Sequence, residues 1–332
     1  MDRFRYFAND RRLIVGIGSA LVDILTHEDD DFLKKTGAVK GGMKLVDKEH
    51  IEQTLALSSG TPSIVPGGSA CNTVVGVGQL GGAARFVGKC GNGHMGKLIE
   101  NELKKQNVEP ALFRSDSPTG RVLSIITPDA QRSMFTYLGA SAESRPEEIS
   151  AKCFDNAAIV HVEGYLIFKP DLLMAALSAA KAAGAKVSLD LASFTLIEES
   201  KGLLEELVDA YVDILIANED EAKVFTGHAD ERRAIQALSK KAEIAVLKVG
   251  ARGSYVSVAG DTYSIKPKGD GKALDTTGAG DLWAAGFLFG LVNGYPLVKC
   301  GELGSACGYE VCQVIGTKIP AGGWKRLKKL VG

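Results

Sequence analysis

Cysteine and histidine are sparse and ungrouped: six cysteines and five histidines are scattered through 332 residues. Cys71, Cys90, Cys153, Cys300, Cys307 and Cys312 form no Cys-x-x-Cys pair, which excludes a zinc ribbon or a redox motif of that type. Their spacing in so long a chain describes no disulfide framework, so reduced thiols in a cytoplasmic protein are expected. No run of 18 apolar residues occurs, and no membrane-spanning helix is expected. Met1 to Arg12 mixes charges with aromatics and lacks the apolar centre of a signal peptide. A surplus of one charge is missing too: 39 Lys and Arg against 40 Asp and Glu leave a net charge of −1. Nothing pulls the whole chain towards nucleic acid or an anionic membrane. The basic run Lys325 to Lys329 reads as a solvated helix end.

What is present is an ordinary globular composition, 45% hydrophobic and 24% charged. It is long enough for one large α/β domain or two modest ones. From about residue 150, short apolar runs alternate with helical patterns. Ala158 to Val162, Lys186 to Asp190, Ile214 to Ala217 and Glu243 to Val249 read as strands. Pro170 to Ala183, Leu196 to Tyr211 and Glu219 to Thr226 read as the helices between them. Repeated βα units imply a mostly parallel sheet with helices on both faces. Ser254 to Ile265 alternates like a hairpin.

The first half is less regular. Leu13 to Gly18 suits a buried parallel strand and places Asp23 just beyond its carboxyl end, where open α/β sheets bind ligands. That carboxylate can accept from two neighbouring sugar hydroxyls, or simply cap a turn. Thr26 to Lys48 suggests a small strand excursion outside the main sheet. Gly67 and Gly68 open a helix with Asn72 one turn in, a second place for a polar ligand; tight helix–sheet packing is the plainer alternative. Phe86 to Gly88 reads as a strand and Gly96 to Gln106 as a helix. Val122 to Ile126 and Ser133 to Tyr137 read as a β meander with Arg132 at its edge. The expected division is a β lid of residues 22–48 and 111–140 on a main domain of residues 1–21, 49–110 and 141–332. Two glycine motifs are set aside. Gly76 to Gly81 matches a dinucleotide fingerprint but lies within a helical pattern, and Gly91 to Lys97 lacks the hydroxyl that would follow a P-loop lysine.

The chemistry concentrates in Leu274-Asp275-Thr276-Thr277-Gly278-Ala279-Gly280-Asp281-Leu282-Trp283. Small residues just before the apolar run Trp283 to Leu291 would expose the first amides of a helix, a ready anion site. An acid at such a turn makes sense if it takes a proton from a hydroxyl attacking phosphate; a capped core helix is the alternative. Asn218 and Glu221, three apart, are expected to share a helix face and to hold water around Mg²⁺, or else to be a capping Asn beside solvated acids. Lys248, Gly250 and Gly253 follow a strand, where the glycines would let a nucleotide come close.

These residues resemble the PfkB, or ribokinase-like, carbohydrate kinases over nearly the whole chain, from Ile14 to about Pro320. Asp275 to Asp281 fits the family's second signature, Gly67 to Asn72 resembles its first, Asn218 with Glu221 fits its N-x-x-E element, and Gly250 to Gly253 is similar to its glycine turn at the nucleotide. The resemblance implies a ribokinase-like α/β fold with a small β-sheet lid, and transfer of the ATP γ-phosphoryl to a primary alcohol of a nucleoside or sugar. It implies Asp281 as base, ionised at a helix N-terminus, with the amides around Gly278, Ala279 and Gly280 as anion hole. Asp23, Ser19, Gly67, Gly68, Asn72, Arg132 and Tyr165 would meet the acceptor. Asn218, Glu221, Lys248, Gly250, Gly253 and Thr276 would serve ATP, with Mg²⁺ held through water at Glu221 and K⁺ near Asp275, Thr277 and the 314–317 segment. Gly16 to Ile24 is most similar to the adenosine-kinase branch, with departures at Ser19 and at Leu166, where a second aromatic would stack. A sugar such as ribose or fructose, and a non-catalytic nucleotide-binding member of the fold, remain alternatives. A monomer and a homodimer through the lid are both compatible with the sequence.

Overall fold

The computed structural model describes residues 10–331; residues 1–9, part of the stretch read for a signal peptide, lie outside it, as does Gly332. After β1 (Leu13–Ile17), only three residues separate the chain from β2 (Leu21–His27), α1 (Asp30–Thr36), β3 (Met43–Leu45), α2 (Lys48–Leu57) and β4 (Ser63–Gly67). It returns through α3 (Ser69–Leu80), β5 (Ala84–Gly91), α4 (His94–Lys105) and β6 (Val108–Ser115), then forms the hairpin β7 (Thr119–Ile126) and β8 (Arg132–Gly139). The βα series follows: β9 (Ala157–Glu163), α5 (Pro170–Ala182), β10 (Lys186–Asp190), α6 (Phe194–Tyr211), β11 (Ile214–Asn218), α7 (Glu219–Thr226), α8 (Glu231–Leu238) and β12 (Ile244–Lys248). β13 (Ser254–Val258), β14 (Asp261–Ile265), α9 (Ala279–Val292), α10 (Leu297–Val311) and α11 (Ala321–Val331) complete it.

The main sheet has nine strands in the order β14-β13-β12-β11-β10-β9-β1-β5-β6, with β12 through β6 parallel and the closing hairpin antiparallel. Successive side chains of a strand point to opposite faces. Ile14, Ile159, Ile214, Ile216, Ile244 and Val246 therefore pack under α3, α9 and α10, while Val15, Val160, Val187, Leu215 and Leu247 pack under α5 to α8. The α9 sequence is apolar all round, and residues Leu282 to Val292 are buried. The same alternation puts Glu163, Asp190, Asn218 and Lys248, at the carboxyl ends of β9 to β12, on the α9 face. A row of polar groups thus lies beneath the start of α9.

The lid sheet has the order β3-β8-β7-β2-β4. One face, with Ile24, Leu123, Ile125 and Phe135, packs on Phe32 and Leu33 of α1 and Ile51 of α2. The other face looks at the main domain. The expected lid boundaries need three corrections. Residues 49–57, assigned to the main domain, lie in α2, whose Ile51 packs on the lid sheet. β4, assigned to the main domain, pairs antiparallel with β2 in the lid, and residues 111–115 of the expected lid lie in β6, which runs parallel to β5 in the main sheet. Asp23 also moves: it is not in a loop but within β2, between Val65 of β4 and Val122 of β7. Apolar alternation through Val22 and Ile24 makes this stretch the strand that carries the lid.

Candidate active site

The crossing from β1 to β2 builds the first wall. Asp23 is 3% exposed. A Cβ on Gly67 would collide with its carboxyl group, so the glycine makes room for the acid. Gly68 has φ 103°, where L-residues are strained, and a Cβ there would strike the Ser19 carbonyl oxygen. The backbone can therefore bring the start of α3 against the crossing. Glu163, which no motif singles out, locks this seam: Oε1 accepts from the Ser19 amide at 2.7 Å and Oε2 from the Ala70 amide at 3.1 Å. Burial pushes Glu163 up to about 7, although both amides pull it back. Burial likewise pushes Asp23 up to about 6; the Arg132 charge opposes this, and Asp281 and Asp275 add to it.

The second wall is the turn into α9. Asp275 is fully buried: Oδ1 accepts from the Thr277 amide at 2.8 Å and its hydroxyl at 2.7 Å, and Oδ2 from the Gly316 amide at 2.7 Å. Thr277 thus serves this brace, which joins the turn to the 314–317 segment. Gly278 caps α9 at φ 74°. The Ala279 amide donates to the Thr276 carbonyl at 3.1 Å, closing the turn ahead of the helix. Gly280 stands in the first helical turn, where an amide has no carbonyl four residues behind it. The Thr276 hydroxyl donates at 2.6 Å to the Ala130 carbonyl in the lid's β7–β8 turn, which ties the turn to the lid.

Asp281 accepts from Ser69 Oγ at 2.7 Å and from Asn72 Nδ2 at 2.9 Å, so α3 holds the carboxylate from across the cleft. Ser69 is a second residue that the sequence did not reveal. The expectation that the helix N-terminus alone governs Asp281 is incomplete. Burial raises its pKa, against the lowering effects of Asn72, Ser69 and Arg132. A carboxylate above its ordinary range is a better proton acceptor.

At the strand ends, Lys248 donates to Asp190 Oδ2 at 2.7 Å. A Cβ built on Gly280 would lie 3.0 Å from Lys248 Nζ, which places the ammonium directly against the turn. Asn218 and Glu221 do not share a helix face. Asn218 is the N-cap of α7, and the two form a reciprocal capping box: Asn218 Oδ1 accepts from the Glu221 amide at 2.9 Å, while Glu221 accepts from the Asn218 amide at 2.8 Å and Nδ2 at 2.7 Å. Glu221 is 3% exposed, not a solvated acid, and burial pushes it up to about 8, with Asp190 adding and Lys248 opposing. Of the two glycines after β12, Gly253 is required by packing, since a Cβ would collide with the Ile265 carbonyl. Gly250 has no protein atom nearer than 3.8 Å to a built Cβ.

One cleft between lid and main domain collects the polar residues Ser19, Asp23, Ser69, Asn72, Glu163 and Asp281, with Gly68 among them. Its lid wall is Leu21 of β2, Met43 and Leu45 of β3, Val122 of β7, and Arg132, Met134, Thr136 and Leu138, which alternate along β8. Tyr165 and Phe168 close the far side. Tyr165 donates to the Ala192 carbonyl at 3.1 Å. Leu166 is turned into the core under α5, so Phe168 is the further aromatic in the cleft. The cleft does not include Asn218, Glu221, Lys248, Gly250 or Gly253, which form a separate group behind the turn. Among the described residues, no group of three or more His, Cys, Asp or Glu could hold a metal ion, and no helix is long and apolar enough to cross a membrane.

The profile of the pfkB family carbohydrate kinases matches residues 33–322. The chain belongs to this family. It is accordingly a phosphotransferase with an alcohol group as acceptor, of the sugar and nucleoside kinase type. Adenosine kinase of Saccharomyces cerevisiae is 26% identical over 331 residues, covering 93% of this chain and 97% of the yeast protein. 5-Dehydro-2-deoxygluconokinase of Bacillus subtilis is 29% identical over 255 residues, covering 72% of this chain and 78% of its own. Among solved structures, adenosine kinase from Sinorhizobium meliloti superposes with a TM-score of 0.91 at 31% identity, over 97% of this chain and 100% of its own. A probable sugar kinase from Rhizobium etli superposes with a TM-score of 0.91 at 30% identity, over 96% and 98%.

Proposed function

We propose that this kinase transfers the γ-phosphoryl group of ATP to the primary ribose hydroxyl of a nucleoside of the adenosine type. The observation that carries the reading is the mixed lining of the cleft, polar groups of the β1–β2 crossing, α3 and α9 together with an apolar lid wall. Its carboxylates and carboxamide, Asp23, Asn72 and Asp281, match the hydroxyls of a ribose. Its apolar lining, from Leu21, Met43 and Leu45 to Met134, Leu138 and Phe168, suits a flat base. A free sugar would leave that apolar wall unused. Similarity to adenosine kinases supports the same choice.

In this reading Asp281 Oδ accepts the proton of the attacking hydroxyl. The hydroxyl oxygen bonds to the γ-phosphorus as the bridging bond to the β-phosphate breaks, and ADP leaves. Phosphoryl transfer asks the protein chiefly for positioning and charge stabilisation. The amides at Gly278 and Gly280, with Lys248 behind them, supply positive potential on one side. Arg132 supplies it from the lid, where its charge already acts on Asp23 and Asp281. The hard oxygen donors of Glu221 suit Mg²⁺ that keeps most of its waters, since among the described residues no cluster of acids, imidazoles or thiols would cage the bare ion. Bound Mg²⁺ would offset phosphate charge. Fully buried Asp275, with the backbone of the 314–317 segment tied to it, suits a nearby K⁺ that would strengthen the same potential.

A panel of adenosine, other nucleosides, ribose and fructose, assayed for ADP release with Mg·ATP, tests the proposal. Nucleosides should exceed sugars in kcat/KM by about a hundredfold, the weight of roughly 3 kcal/mol of apolar contact. A sugar kinase is the second reading, favoured by the Glu163 carboxylate in the cleft and by the sugar-kinase relatives. Preference for ribose or fructose would establish it, and no turnover on any member would leave a nucleotide-binding protein without catalysis.

A further inference from the structure

Asp190 has no part in the motifs that mark the site, yet its two carboxylate oxygens serve different sides of it. Oδ2 accepts from Lys248 Nζ at 2.7 Å. Oδ1 accepts from the Ala192 amide at 3.0 Å. Ala192 has φ 66°, a strained conformation for alanine, and it is the Ala192 carbonyl that holds the Tyr165 hydroxyl at 3.1 Å. Asp190 is 5% exposed and the Lys248 side chain 13% exposed, so neither is free to wander in solvent. Lys248 has a four-carbon stem with many rotamers. Its ammonium lies against Gly280 because something fixes it there. The other charged groups facing it are Glu221 from α7 and Asp281 from α9, while His161 from β9 is kept neutral by burial, which pushes it down to about 4. Of these, Asp190 is the one hydrogen-bonded to it.

We propose that Asp190 is the positioning residue that aims Lys248 at the transferred phosphoryl group, and that its second oxygen fixes the turn on which Tyr165 is seated. Asp190 touches no substrate; it acts on turnover through Lys248 and on acceptor fit through the 190–192 turn. The proposal rests on the reading of the α9 turn as the phosphate site, and the test separates the two.

The experiment is a double-mutant cycle on the whole enzyme with Mg·ATP and its best acceptor, reading kcat and both KM values. Lys248→Met should lower kcat by about 100-fold, as for removal of one donor to a developing anion. Asp190→Asn, which can still accept from the Ala192 amide, should lower kcat by about 10-fold or more and leave the acceptor KM within about 2-fold. In the Lys248→Met background, Asp190→Asn should cause no further loss in kcat, because its effect passes through the missing ammonium. Asp190→Ala, which frees the turn as well, should also raise the acceptor KM. Multiplicative losses in the double variant, or wild-type kcat in Asp190→Asn, overturn the role of Asp190. Wild-type kcat in Lys248→Met overturns the reading of the phosphate site itself. Melting temperatures of all four proteins show whether each remains folded, and Asp190→Asn and Asp190→Ala give two independent entries should one fail.

Discussion

Glu163 offers a prediction that can be worked through to a number. It is 1% exposed and carries its charge between the Ser19 and Ala70 amides. Burial pushes its pKa from 4.5 to about 7. The folded pKa exceeds the unfolded one, so the folded chain binds the extra proton. The associated stability is fully present below pH 4.5 and is lost as pH rises through about 7. A rise of this size corresponds to roughly 3 kcal/mol. Glu163→Gln keeps the shape and one acceptor but cannot titrate. At pH 5 the variant should be the less stable protein. By pH 8.5 the gap should have closed or reversed, because the wild type then carries a buried charge. Near a melting point of about 60 °C, a chain of 332 residues has an unfolding entropy that turns 3 kcal/mol into about 4–5 °C. Paired thermal unfolding curves from pH 5 to 8.5 measure the change. A difference in Tm that stays constant within about 1 °C would refute the argument that burial dominates at this carboxyl.

Three further outcomes are expected. Asp281→Asn should lower kcat by about 10²–10⁴ with little change in Tm, since Ser69 and Asn72 can still hold the side chain; near-normal turnover would remove Asp281 as the base. Gly68→Ala should cost about 1–3 kcal/mol and most of the activity, because a Cβ meets the Ser19 carbonyl at a backbone φ of 103°; chemical denaturation checks the stability and ADP release the activity. Thr276→Val removes the hydroxyl that holds the Ala130 carbonyl and should raise the acceptor KM about fivefold, for a bond worth about 1 kcal/mol, leaving the ATP KM unchanged. A rise confined to the ATP KM would assign Thr276 to the nucleotide instead.

The βα series was legible because apolar runs, turn glycines and helix periods agree along it, and Asp275 to Asp281 was legible because few turns combine small residues with two acids. What escaped was set by pairing across sequence. Nothing local in Ser63 to Gly67 says that it will pair with β2 and join the lid. Asp23 reads as a loop residue until the register against Val65 and Val122 makes it part of a strand. Glu163, Ser69 and Asp190 are ordinary residues whose roles come from partners 93 or more, 212 and 58 positions away. Asn218 and Glu221 show the reverse case. Their spacing suits a shared helix face and a capping Asn alike, and only the N-cap position of Asn218 decides for the capping box.

The two sheets divide the labour at the cleft in a way that bears on how such an enzyme changes. Asp281, the turn into α9 and Lys248 all hang from the main sheet and its helices. Apart from Asp23 and Arg132, the lid contributes mostly side chains that set shape: Leu21, Met43, Leu45, Val122, Met134 and Leu138. These stand on the lid face opposite its own small core of Ile24, Leu123, Ile125 and Phe135. A substitution at Met43 or Met134 therefore reshapes the acceptor chamber without opening a hole in either core. Selection can retune what enters the cleft one side chain at a time, while the reaction at its floor is inherited unchanged.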